Sequence, residues 1–321
     1  LPMQTEQAPL TLQGFGLRYG SDVVLAQIDL QVRAGEVVAL VGASGAGKTS
    51  LLHAVLGLSP AGACAEGGLW IHGVDRAQAT EAEWARLRGR VLGLIPQDPL
   101  TALPAHRRVD GLLDEVLRRH QPTLDRRARR AAQARLLQQV GLDSALRQRY
   151  PHALSGGQGQ RVLVALALAG DPAILIADEP TSALDAVAAR ALLGLLAQEA
   201  HARGRAVLLV SHDLAASAAV ADRVAVLAAG RLVEVGPAAA VMCQPVHPYV
   251  QALVAARPPL LPPRPRRLAL APTAAPCAQP RHGCAFAATC VRADGRCVEQ
   301  VPAWRTVAGR QVTCHHAGEG A

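Results

Sequence analysis

Aromatic residues are scarce in this chain: only 2% of its 321 positions are Phe, Trp or Tyr. A core with so few rings has to be filled by Ala, Val and Leu, and half of the residues are hydrophobic. The scarcity also leaves basic runs without interleaved rings on which bases could stack. The net charge of +8 therefore points to Arg-rich solvated faces, and no nucleic-acid partner is expected. Long apolar runs are missing too. The longest, such as Val162–Ala169, reach half of the roughly 18–20 residues that span a bilayer, which argues against an α-helical membrane subunit. No basic-then-apolar segment opens the chain, so no secretory leader is expected; the cytosol is the expected compartment, with Met3 as a candidate start. Paired C-x2-C knuckles are absent among the seven cysteines, which removes the obvious zinc-finger reading. No internal repeat is present.

What is there alternates strand and helix. Residues 10–35 alternate in the manner of two strands around a Tyr19-Gly20-Ser21-Asp22 turn. Glu36–Val41 is a short apolar run typical of a buried strand, followed by a Gly-rich loop and an apolar helix over about Thr49–Leu56. Residues from about 100 to 150 are rich in Leu, Ala and Arg and read as a helical insertion. Ile174–Ala177 and Ala206–Val210 read as buried strands with the helical stretch Val187–Ala202 between them, and Arg223–Val235 as a hairpin turning at Ala229-Gly230. This order predicts an α/β fold with a parallel sheet covered on both faces. The proline-dense stretch 257–276 cannot be regular helix or central strand and reads as a linker.

Three motifs carry chemistry. Gly42-Ala43-Ser44-Gly45-Ala46-Gly47-Lys48-Thr49, followed by Ser50, matches G-x-x-x-x-G-K-[ST] between a predicted strand and helix. Its glycines let backbone N–H groups converge on phosphate oxygens, and the helix N-terminus adds partial positive charge. Lys48 can reach the β- and γ-phosphates, and the Thr49 hydroxyl can ligate Mg2+. Downstream, the strand Ile174–Ala177 ends in Asp178-Glu179, where open α/β sheets bind ligands. Asp178 would hold Mg2+ and Glu179 would polarise an attacking water as general base. Between them stands Leu154-Ser155-Gly156-Gly157-Gln158, small residues at a helix start that suit a second phosphate cradle.

With these residues in this order, the chain resembles the ABC transporter ATPases, whose signature is LSGGQ. The resemblance covers about residues 10–235. It implies a P-loop NTPase fold of the ABC type: a parallel core sheet, an N-terminal antiparallel β part and a helical subdomain near 98–165, within an ATPase domain of 8–256. It assigns Tyr19 to the aromatic that stacks on adenine, and Gln97 to the glutamine that senses Mg2+ and the channel. Ser182–Asp185 resembles the loop linking two sites across a dimer, and His212 the γ-phosphate histidine. ATP and Mg2+ are the implied ligands. Because one chain carries one set of motifs, a second ATPase subunit, a copy or a paralogue, is implied. Two membrane-spanning permease subunits, an extracytoplasmic binding protein and a peripheral place on the cytoplasmic face of the membrane are implied with it. A soluble ABC protein acting on DNA or ribosomes would want a long coiled coil or two ATP domains, and neither is present.

The C-terminal part, 277–317, is Cys-rich. His247-Pro248-Tyr249, then Cys284, Cys290, Cys297 and Cys314 in a C-x5-C-x6-C-x16-C spacing, resembles the extension of oligopeptide, dipeptide and nickel importer ATPases. Peptide is the first expected cargo, with nickel or a metal chelate as the alternative. Four thiolates from one short segment suit an Fe–S cluster. The resemblance implies a 4Fe–4S cluster, with zinc as the alternative. Cys277 departs from the set, and His315 or His316 could replace a thiolate. Thr289 and Val291 stand where the family usually has Arg and Pro. A segment this short lacks a good core of its own, so a metal would help hold it together.

Overall fold

The structure is a computed structural model that describes residues 8–256 and 283–318. The proline-dense linker, Cys277 and the candidate start at Met3 lie outside the described residues. No helix among the described residues is long and apolar enough to cross a membrane.

Two sheets form the frame. A four-stranded antiparallel sheet joins β1 (Leu10–Tyr19), β2 (Asp22–Val32), β4 (Ala63–Ile71) and β5 (Val74–Asp75) in the order β2-β1-β4-β5. The larger sheet has eight strands. Its parallel part is built from β3 (Val37–Val41), β6 (Leu92–Ile95), β7 (Ile174–Asp178), β8 (Ala206–Ser211) and β9 (Arg223–Ala228), ordered β9-β3-β8-β7-β6. β10 (Arg231–Pro237) pairs antiparallel with β9 through the turn at Ala229-Gly230, where both residues take positive φ.

Helices cover both faces. α1 (Lys48–Val55) follows β3, and α2 (Glu81–Leu87) starts from a Thr80–Glu83 capping box. The helical insertion holds α3 (Pro99–Ala102), α4 (Val109–His120), α5 (Arg126–Gln139) and α6 (Gly156–Leu168). α7 (Ala186–Arg203) links β7 to β8. α8 (Leu214–Ala218), α9 (Ala238–Cys243) and α10 (Pro248–Ala255) pack near β3, β9 and β10.

The strand β3 shows why its sequence is apolar throughout. All five of its residues are buried. Val38 and Leu40 join the core under the antiparallel sheet and α1, Val37 faces α6 and α7, and Ala39 and Val41 meet the residues of α8–α10. A parallel strand covered on both faces leaves no position for a polar side chain. Leu, Val and Ala dominate all three clusters, with Phe15 the largest fully buried side chain. Burying each such Leu or Val contributes roughly 1.5–3 kcal/mol.

The C-terminal segment, too short for a good core of its own, borrows the core of the large sheet. β11 (Arg305–Val307) and β12 (Arg310–Val312) form a hairpin, and β12 pairs antiparallel with β10 (Glu234 opposite Val312). Val312 is fully buried. The physical reason is the edge of β10, whose backbone groups offered a template that a short strand could complete. A short helix, α11 (Gly295–Glu299), precedes the hairpin and is capped by the Asp294 carboxylate, which accepts from the Cys297 N–H at 3.0 Å.

Candidate functional site

Three loops leave the C-terminal edges of neighbouring parallel strands β3, β8 and β7, and they bring Lys48, His212 and Asp178-Glu179 together. The phosphate loop curls tightly. Gly45 and Gly47 have φ of 78° and 103°. A Cβ on Gly42 would lie 2.3 Å from the Leu227 carbonyl oxygen, so only glycine lets the loop pass β9. Lys48 opens α1, and its Nζ donates to the carbonyls of Gly42 (2.8 Å) and Ala43 (3.0 Å). It also lies 3.9 Å from Glu179 Oε1. Burial pulls the Lys48 pKa down, while Glu179 and Asp178 pull it up.

The acidic pair is crowded. Burial pushes the Asp178 carboxyl above its ordinary value, and adjacent Glu179 pushes it further; His53 and Lys48 offset part of this. Glu179 adopts a left-handed backbone, φ 43°, which is strained by roughly 1–3 kcal/mol for a residue with a side chain. Its N–H donates to the Val210 carbonyl at 2.8 Å, which holds the strained turn in place. Its Oε2 pairs with His212 Nδ1 at 3.0 Å. The carboxylate thus lies between an ammonium and an imidazole, at the edge where a phosphate chain would enter.

The other residues singled out by sequence make their hydrogen bonds elsewhere. Among the described residues, none of Tyr19, Gln97, Ser155–Gln158 or Asp185 hydrogen-bonds to Lys48, Asp178 or Glu179. Tyr19 ends β1 and packs partly buried against the core. Gln97 is exposed in the turn before α3. Ser155 caps α6 in a reciprocal box with Gln158: its hydroxyl accepts from the Gln158 N–H at 3.3 Å, and the Ser155 N–H donates to the Gln158 side chain at 3.1 Å. Asp185 caps α7, accepting from Val187 and Ala188 at 2.9 Å. Gln160 ties α6 to the Gln97 turn by donating to the Pro96 carbonyl at 3.1 Å.

Sequence reasoning passed over His53. It stands four residues after Thr49 on the same helix face, and that i,i+4 spacing could have indicated it. It also passed over the contact of Tyr249 with the phosphate loop, for which no local signal exists.

The four C-terminal cysteines converge. Burial raises the Cys284 thiol pKa, and the nearby Cys297, Cys314 and Cys290 raise it further. Burial raises that of Cys314 too, with Cys290 and Cys297 again close by. Cys297 and Cys314 are buried. Among the described residues, Asp294, Cys297 and His316 bring their ligand atoms within 4.8 Å of one another, a trio with only one of the four cysteines.

The fold and the edge cluster define a P-loop ATPase with a separate helical insertion. A model of the ABC transporter family matches residues 25–182, and a model of the oligopeptide/dipeptide transporter C-terminal region matches 233–297. The chain is 38% identical over 305 residues to the probable D,D-dipeptide transport ATP-binding protein DdpD of Escherichia coli, covering 94% of this chain and 92% of that one. It is 39% identical over 296 residues to the dipeptide transport ATP-binding protein DppD of Escherichia coli, covering 90% of each. Among solved structures it is similar to cbiO1 from Clostridium perfringens, part of the ABC transporter complex cbiONQ (TM-score 0.66, 25% identity, 74% of this chain and 92% of that one). It is also similar to a dimeric ATP-binding cassette in a post-hydrolysis state with ADP and Pi (TM-score 0.64, 26% identity, 71% of this chain and 98% of that one). The chain belongs to the ATP-binding proteins of the ABC transporter family, and it is an ATPase of that kind.

Proposed function

We propose that this ATPase powers the import of peptides through a membrane channel formed by permease subunits. The observation that carries the reading is the joint presence of the Lys48–Asp178–Glu179–His212 cluster and the C-terminal region shared with relatives named for dipeptide transport. Lys48 binds the β- and γ-phosphates on the amides of the phosphate loop, with Ser50 beside Thr49 at its helix start. Glu179 accepts the proton of the attacking water, and His212 holds the γ-phosphate and keeps the Glu179 carboxylate aimed. Tyr19 stacks on the adenine.

Thr49, Asp178 and Gln97 would hold Mg2+ by oxygen donors. The crowding of Asp178 by Glu179, with its raised pKa, fits a site that gains from a cation. That ion supplies neutralisation of phosphate charge. Ser155, Gly156 and Gly157 serve the nucleotide of a second ATPase subunit, with Asp185 near the junction. ATP closes the pair, and hydrolysis reopens it. The helical insertion carries the motion to the permease at the cytoplasmic face, and a binding protein delivers cargo from the other side.

Cys284, Cys290, Cys297 and Cys314 would hold a 4Fe–4S cluster, which would supply a covalent cross-link and a one-electron redox centre. A single zinc ion with four thiolates at about 2.3 Å would draw the sulfurs to roughly 3.8 Å from one another. Among the described residues the trio within 4.8 Å includes a single cysteine, so four cysteines near one another suit the larger group better.

The testing experiment is ATP hydrolysis in proteoliposomes that contain this chain, its permease partners and the binding protein. Dipeptides are expected to stimulate hydrolysis and accumulate inside. Stimulation by a nickel chelate and not by peptides would overturn the cargo assignment. Iron and sulfide near four per chain in anaerobically purified protein would support the cluster; zinc alone would remove it.

A further inference from the structure

We propose that Tyr249 is a positioning residue for the phosphate loop, and that through it the packing of the C-terminal segment sets ATP affinity. The Ala43 N–H donates to the Tyr249 hydroxyl at 3.3 Å. The Gly42 carbonyl on the same peptide plane accepts from Lys48 Nζ at 2.8 Å. The C=O and N–H of a trans peptide point in opposite directions. The plane between Gly42 and Ala43 is therefore gripped on both sides, by the phosphate-binding lysine on one and by Tyr249 on the other. Burial pushes the Tyr249 phenol pKa up, so it remains neutral and able to accept.

Tyr249 is itself held from two directions, and both lead to the C-terminal segment. Its ring meets Phe286 edge-on, with centroids 5.4 Å apart and planes at 66°. Phe286 lies two residues past Cys284, and the His247 ring also leans on it at 6.1 Å. The second route runs through the backbone. His247 Nδ1 accepts from the Tyr249 N–H at 3.0 Å and so fixes the first turn of α10. The N–H groups of Val246 and His247 donate to Glu234 on β10, at 3.1 and 2.8 Å. Arg310 of β12 stands 3.8 Å from the same carboxylate and donates to the Ala240 carbonyl at 2.9 Å. Tyr249 is 5% exposed, and Glu234 and His247 are buried, so the route is shielded from water. Displacement of Phe286 or β12 moves the phenol, and the phenol turns the peptide plane that faces Lys48.

The test uses the full chain and leaves all four cysteines in place, so it stands independently of any metal in the segment. Tyr249→Phe removes one oxygen and keeps the ring against Phe286. Its KM for ATP, and its Kd for a fluorescent ATP analogue, are expected to rise about 3- to 10-fold, the worth of one neutral hydrogen bond, with kcat within about twofold. Phe286→Ala keeps the oxygen and removes its support, and should raise KM in the same direction. The double variant should show no more than the Tyr249→Phe shift, because both act through one contact. Phe286→Leu serves in its place if the alanine variant does not fold. An unchanged KM in Tyr249→Phe, with only a lower melting temperature, would overturn the positioning role. Unchanged KM in both Phe286 variants, or shifts that multiply in the double variant, would overturn the coupling to the C-terminal segment.

Discussion

The two halves of the eight-stranded sheet treat charged side chains in opposite ways. At the C-terminal edge of the parallel strands a buried Lys48 meets two groups that keep open faces; the Glu179 side chain is 20% exposed and His212 61%. At the antiparallel end, Glu234, His247 and Arg310 are 0%, 1% and 4% exposed, and protein atoms engage them from several sides. Both groups contain an acid, a histidine and a cation. The difference is the room left for a ligand. The edge cluster keeps a carboxylate pair at raised cost beside one ammonium, as an anion- and cation-binding site would. The walled-in cluster spends its hydrogen bonds on backbone N–H and C=O groups and holds the C-terminal segment in place.

The comparison can be broken from the buried side. Glu234→Ala should leave the Val246 and His247 N–H groups and the Arg310 guanidinium without their carboxylate. The expected loss is about 3–5 kcal/mol, read by denaturant unfolding. A loss below about 1 kcal/mol would mean that this cluster is not the anchor described.

His247 gives a pH signature. Burial lowers its pKa to about 4, against a smaller upward pull from the Thr313 backbone. A lowered folded pKa leaves stability intact above the unfolded value near 6.5 and removes it as pH falls towards 4. Up to roughly 3 kcal/mol should disappear across that window in the native chain, and the decline should flatten in His247→Asn. Equal slopes in both proteins would assign the acid sensitivity elsewhere.

On the open side, Lys48→Ala should weaken ATP binding about 100-fold, as expected for loss of charge-assisted bonds to phosphate, with little change in melting temperature of the free protein. Isothermal titration checks this. A similar affinity would show that the loop amides bind phosphate without the lysine.

The smallest effect is the most diagnostic. The raised pKa of Asp178 means that its contribution to stability is full below the unfolded carboxylate value and is lost as pH rises through the folded one. At neutral pH its charge therefore works against folding. Asp178→Asn should stabilise the free protein by about 0.5–2 kcal/mol while abolishing the added stability conferred by ATP with Mg2+. Destabilisation of the free protein would place Asp178 with the structural charges.

Legibility in the sequence followed the same division. The phosphate loop, the acidic strand end and His212 are each local patterns at the end of an apolar run. Strand geometry alone carries them to one edge of the sheet. The hairpin at Ala229-Gly230 was visible because its turn chemistry is local. The antiparallel end depends on pairing between β10 and β12, about 78 residues apart in sequence, and nothing local in Arg310–Val312 announces a partner. The cysteine spacing marked the segment but could not show that it completes an existing sheet edge. The Tyr249 contact with Ala43 spans 206 residues and leaves no periodic trace.

The central claim is that the edge cluster hydrolyses ATP with Glu179 as general base. The most direct measurement is single-turnover release of γ-phosphate by the native chain and by Glu179→Gln, with Mg2+ and under conditions where both bind ATP. The account predicts a rate about 100- to 10,000-fold lower in the variant, with ATP retained and the paired form accumulating. Equal release rates would contradict it and assign the base to another group.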